Sequence, residues 1–181
     1  MFYSQRNSAW ASEPINKTTT TINEAGSKLV CLANALRYTK VRRASPHQVL
    51  AEVTLKGGCF NGTDLSTEKA ATLLGLHVGP RISSSVVIMR HTIAAALAEG
   101  QCALLHVATF RGHDHYVLAL RIEGDCIVCA DPWSGDLCRL GTRDLSGLCG
   151  TLASRRYAVT SVQTLCNPSE DVTNPGIKKI N

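Results

Sequence analysis

The stretch 23-NEAGSKLVCLANALRY-38 decides how this chain is read. Asn23, Gly26 and Ser27 are turn and cap residues, and Leu29, Val30, Cys31, Leu32, Ala33, Ala35 and Leu36 follow as an almost unbroken apolar run. That pattern predicts a helix buried on most of its surface, with its N-terminus near Gly26-Ser27. A helix that emerges from a Gly-bearing turn presents unbonded N–H groups and the positive end of its dipole, and both favour an anion. A nucleophile at position 27 would have its negative charge stabilised there. A serine occupies the position, although a cysteine would make better sense of the remaining sequence.

Outward from this helix, 45-SPHQ-48 is a second helix start, with Ser45 as N-cap, Pro46 in the first turn and Gln48 closing a capping box; the helix should end near Leu55. Further helices are expected across 66-STEKAATLLGL-76 and 92-TIAAALAEG-100, the latter stopped by Gly100. After Gly100 the period changes. Segments 102-CALLHVATF-110, 115-HYVLALRI-122, 125-DCIVCA-130, 136-DLCRL-140 and 156-RYAVTSVQTL-165 have strand character, with Gly124-Asp125 and Gly135-Asp136 as hairpin turns. Helices first and an antiparallel sheet second describe an α+β domain with the helices on one side. One domain over 1–165 and a loose polar tail over 166–181 are expected, without internal repeats.

The composition narrows the classes. With 181 residues, 44% hydrophobic, the chain can bury a substantial core. The net charge of +5 is scattered, with only Lys40-Val41-Arg42-Arg43 and Arg155-Arg156 as short clusters, so no nucleic-acid surface is expected. No apolar run approaches membrane-spanning length, and the start of the sequence has no charged region ahead of an apolar one. Cytoplasmic residence, or delivery without a signal peptide, is the expectation. The eight cysteines lie mostly inside apolar segments and read as reduced, packed thiols. Cys126 and Cys129 form a C-x-x-C, but within a strand an offset of three turns the side chains to opposite faces, and no second ligand pair accompanies them. Neither a metal nor a cofactor is expected.

A nucleophile at a helix start needs a base on a different element and a group that orients the base. His115 heads the strand 115-HYVLALRI-122, and Asp131 in 131-DPWSGD-136 follows the strand 125-DCIVCA-130. Adjacent antiparallel strands, one beginning with His and the other ending before Asp, bring the two to one edge. His113 competes for the base role from a turn. Asp114, next to His115 on an extended chain, should point away from it. His47, His77, His91 and His106 have no comparable context.

At these residues the chain resembles the papain-like C39 and C39-like cysteine peptidases. Such proteins carry a Gln followed by a Trp, a turn ending Gly-Cys at the head of the central helix, a His-aromatic-Val strand, and an Asp-Pro ahead of a Gly. The corresponding stretches are 5-QRNSAW-10, 26-GS-27, 113-HDHYV-117 and 131-DPWSG-135, and the resemblance covers roughly residues 3–160. It implies a papain-like fold, a protein or peptide substrate, and a site of position 27 as nucleophile, His115 as base, Asp131 as its orienting group and Gln5 as oxyanion donor. Trp133 would border the cleft, and Trp10 would pack the N-terminal segment. Asn23 is a rival for Gln5, which lies far from Ser27 in sequence.

Ser27 departs from the pattern. Either the cysteine has been replaced to give an inactive form, or the protein naturally carries serine; survival of Gln5, His115 and Asp131 favours the first account. Cys31 lies a full turn deeper in an apolar run and reads as a core thiol. Three functions compete: a peptidase, another amide hydrolase such as a glutamine deamidase or peptidoglycan amidase, and a non-catalytic peptide-binding module. Taken singly, Ser27 is an ordinary N-cap, His115 a strand-end histidine and Asp131-Pro132 a turn initiator.

Overall fold

The computed structural model describes residues 2–109, 114–148 and 156–170. The apolar run is helical as expected, but the helix breaks at Gly26: a short α1 (Ile22–Ala25) precedes α2 (Ser27–Tyr38). Glu24 caps the Thr21 N–H at 2.8 Å and fixes the start of α1. A side chain at 26 would bring its Cβ within 2.4 Å of the Ile22 carbonyl oxygen, so the two helices abut only because Gly26 has none.

Helix α3 (Pro46–Leu55) starts with the expected capping box, its Gln48 N–H donating to Ser45 Oγ and the Ser45 N–H to Gln48 Oε1. A small hairpin of β1 (Phe60–Asn61) and β2 (Asp64–Leu65) follows, then α4 (Thr67–Leu73) behind Ser66. Next come β3 (His77–Val78) and α5 (Val86–Ala98). Helix α5 begins six residues before the apolar pattern suggests, because Ser85 caps it, accepting from the Ile88 N–H.

The remaining strands are β4 (Cys102–Thr109), β5 (Asp114–Glu123), β6 (Cys126–Ala130), β7 (Leu137–Gly141), β8 (Ser146–Leu148) and β9 (Arg156–Cys166). They form an antiparallel seven-stranded sheet in the order β3-β9-β4-β5-β6-β7, with β8 also paired to β9. The residues read as the head of a tail are ordered at first: Cys166 ends β9 and Pro168–Glu170 form a 3-10 turn. Positions 171–181 and His113 lie outside the described residues.

The expectation of helices on one side alone needs correcting. Leu29, Leu32 and Leu36 of α2, with α3 and α4, pack on the face carrying Leu104, Leu118, Leu120 and Leu165. Helix α5 covers the opposite face, where Met89 and Ile93 meet Leu105, Val107, Val117, Ala119 and Val162. Burial on both faces explains why the strands read as nearly continuous apolar runs rather than alternating ones. Among the described residues there is no disulfide, and no helix is long and apolar enough to cross a membrane.

Candidate active site

Helix α2 runs along β5 in the same direction. Near its start, the Cys31 thiol donates to the Tyr116 carbonyl at 3.6 Å and Lys28 Nζ lies 4.8 Å from the centre of the Tyr116 ring. At its end, Tyr38 Oη donates to the Leu120 carbonyl. The N-terminus of α2, where Ser27 is 8% exposed, therefore arrives at the end of β5 that carries His115.

His115 and Asp131 meet as the sequence suggested. Imidazole Nε2 lies 2.8 Å from Asp131 Oδ1, and both side chains are buried. The carboxylate is held further by the Trp133 N–H, which donates to Oδ1 at 2.9 Å, and by the Tyr157 hydroxyl, which donates to Oδ2 at 3.1 Å. With Nε2 committed to the carboxylate, Nδ1 is the nitrogen left for a reacting group. Ser27 Oγ and His115 are not hydrogen-bonded to each other among the described residues.

Gln5 is folded back by the turn that carries Asp131. The Gln5 N–H donates to the Pro132 carbonyl at 2.6 Å, and Ser4 Oγ donates to the Trp133 carbonyl at 2.9 Å. Gly135, at φ +80°, supplies the left-handed residue that closes this turn, and a Cβ there would come 3.0 Å from the Phe2 carbonyl. Gln5 Nε2 donates to the Asn23 carbonyl at 2.7 Å, four residues before Ser27. One residue thus ties the α1–α2 junction to the Asp131 turn. Among the described residues, Gln5 Oε1 is buried without a partner. Asn23, the rival amide, engages Gln5 through its main chain.

The remaining candidates separate cleanly. Trp133 is half-buried with the Arg6 guanidinium 5.3 Å from its ring centre. Trp10 is a packing residue: it is buried, meets Tyr3 edge-on at 5.7 Å, and donates Nε1–H to the Ser4 carbonyl. Cys31 is fully buried, and desolvation, followed by the nearby Asp131 charge, pushes its thiol well above the ordinary range. A thiol so disfavoured as thiolate is a poor nucleophile. Asp114 turns away from His115, as expected, but finds His106 across the strand pair at 3.1 Å, so His106 does have an acidic partner. Tyr157 has no sequence signature: an isolated tyrosine in 155-RRYAV-159 carries no local signal separating a site residue from a packing one.

No family model matches the chain, and no curated protein matches it in sequence. Its structure, however, is similar to that of the peptidase domain of Streptococcus ComA, a bi-functional ABC transporter involved in a quorum-sensing pathway. The two superpose with a TM-score of 0.52 at 15% identity, over 78% of this chain and 91% of that domain. The fold is that of a papain-like C39 peptidase domain. At this identity the likeness concerns architecture, and the residues must support any chemistry themselves.

Proposed function

We propose that this chain is a papain-like amide-bond hydrolase of the cysteine-peptidase class, held inactive by serine at the nucleophile position. The observation that carries the reading is the buried His115–Asp131 pair, at the end of β5 where the start of α2 arrives. With cysteine at position 27, His115 would accept the thiol proton through Nδ1 to give a thiolate–imidazolium pair, and Asp131 would stabilise the imidazolium through Nε2. The thiolate would attack the amide carbonyl carbon, forming a C–S bond and an oxyanion. The N–H of residue 27 and the Gln5 amide are the donors for that oxyanion. Imidazolium then protonates the leaving nitrogen as the C–N bond breaks, and water, deprotonated by His115, hydrolyses the thioester. A serine hydroxyl is far less acidic, so a site suited to a thiol pair does not activate it.

The intended substrate is a protein or peptide, with Trp133 bordering the cleft. A glutamine deamidase or peptidoglycan amidase would use the same steps on a different amide. Ser27 itself favours one further reading, in which a natural serine leaves a peptide-binding domain without chemistry. Mixed peptides from a digested proteome, incubated with the Ser27→Cys form and with its His115→Ala variant, separate these readings by mass spectrometry. New peptide termini dependent on His115 support the peptidase, and glutamine converted to glutamate in intact peptides supports the deamidase. Peptide retention by the Ser27 protein, without turnover by Ser27→Cys, supports the binding module.

A further inference from the structure

We infer that Tyr157 is a positioning residue that orients Asp131 toward His115, a fifth side chain beside position 27, His115, Asp131 and Gln5. This inference rests on the proposed role of His115 as base.

Tyr157 is 2% exposed and sits at the start of β9, where its main chain is paired on both sides, to Thr109 of β4 and to Gly147 of β8. Its ring packs at 5.5 Å and 39° against the His115 ring, and its hydroxyl donates to Asp131 Oδ2 at 3.1 Å. One side chain therefore contacts both members of the pair. A carboxylate bonded at one oxygen alone can turn about its Cβ–Cγ bond. Here the Trp133 N–H holds Oδ1 and the Tyr157 hydroxyl holds Oδ2, which fixes the plane and aims Oδ1 at Nε2. The ring packs over a pair that is itself buried, and a charge-assisted hydrogen bond gains strength where water is excluded. A buried apolar contact alone would be served equally well by phenylalanine; the hydroxyl adds a hydrogen bond to the carboxylate.

Of the titratable groups near His115, Asp131 after β6 bonds it and Tyr157 on β9 packs against it, the Cys31 thiol of α2 lies within the field of Asp131, and Asp114 turns to His106. The effect of removing the hydroxyl has opposite signs in the two cases. If Tyr157 acts by orientation, Tyr157→Phe lets the carboxylate turn, the imidazolium loses support, and the His115 pKa falls. If the hydroxyl only withdraws charge from a carboxylate that stays in place, Asp131 becomes the stronger acceptor and the pKa rises.

The test is an NMR titration of ¹⁵N-histidine-labelled Ser27 protein, with and without Tyr157→Phe, the fold checked by circular dichroism. It needs no nucleophile, so it reports on Tyr157 even if the hydrolase reading fails. The expected result is a lower His115 pKa and faster exchange of its Nε2 proton; an unchanged or raised pKa in a folded variant overturns the inference. In a companion Ser27→Cys protein, the introduced thiol should lose on the order of tenfold in alkylation rate when Tyr157→Phe is added. No rate advantage for that thiol with Tyr157 intact would fail the hydrolase reading instead. Should Tyr157→Phe not fold, the unmodified protein decides: a slowly exchanging Tyr157 hydroxyl proton with a cross-peak to the His115 Nε2 proton is expected, and a rapidly exchanging hydroxyl overturns the inference.

Discussion

His106 and His115 lie on neighbouring antiparallel strands, each with an aspartate at hydrogen-bond distance, and the two aspartates could hardly differ more. Asp131 is 2% exposed and accepts from an imidazole, a main-chain N–H and a tyrosine hydroxyl. Asp114 is 79% exposed and meets His106 at 3.1 Å. His106 itself is threaded among other groups: it stacks on Tyr116 at 4.8 Å, and its Nδ1 lies 2.8 Å from Thr160 Oγ1 and 3.5 Å from Arg81. Both of its nitrogens are occupied, whereas among the described residues His115 is bonded through Nε2 alone. A surface ion pair and the candidate site differ in burial and in what the second nitrogen is left to do.

Removing each carboxylate should give the widest separation. Asp131→Ala strands three donors in a buried space and should cost about 3–5 kcal/mol, the range for breaking a buried pair. Asp114→Ala, at an exposed position, should stay within about 0.5 kcal/mol. Urea unfolding of both variants checks this, and equal losses would erase the distinction. In a Ser27→Cys background the reactivity of the introduced thiol should divide the same way: Asp131→Asn lowers its alkylation rate by about 10²-fold or more, and Asp114→Asn leaves it unchanged.

Much of this was legible in the residues. The α2 run, the Ser45 capping box and the strand succession follow from local pattern, because caps and apolar runs act over a few residues, and the His115–Asp131 meeting follows from the pairing of successive antiparallel strands. What was not legible is long-range. The α5 side of the sheet is hidden because an apolar run shows that a strand is buried but not which helix covers which of its faces. Tyr157 joins Asp131 across 26 positions, and its hydroxyl has no sequence signature. The fold-back of Gln5 depends on main-chain bonds to Pro132, which no side-chain pattern announces. The His106–Asp114 pair is hidden for the same reason: it depends on the β4–β5 register.

Acid should distinguish the histidines more gently. Burial, helped by the Arg81 and Lys28 charges and opposed by Asp114, holds His106 below its ordinary pKa. The unfolded chain then takes up its proton first as pH falls, so this contribution to stability is intact above about pH 6.5 and is lost as pH drops through the folded value. His106→Gln should flatten that part of the urea-midpoint-versus-pH curve; an unaltered curve would exclude His106 as its source. The smallest effect is expected from Lys28→Gln, which removes a charge over the Tyr116 ring and should move the His106 pKa slightly upward in an NMR titration. A downward shift would mean that the ring, rather than the charge, governs His106.

The most direct test lies in the chemistry at position 27. The Ser27→Cys protein, treated with limiting iodoacetamide at mildly acidic pH, would be mapped by mass spectrometry for labelling at each cysteine. The introduced thiol is predicted to be alkylated far faster than the eight cysteines already in the chain, and His115→Ala to remove the advantage. If that thiol reacts no faster than the others, or keeps its advantage without His115, the buried pair activates no nucleophile and the hydrolase reading is contradicted.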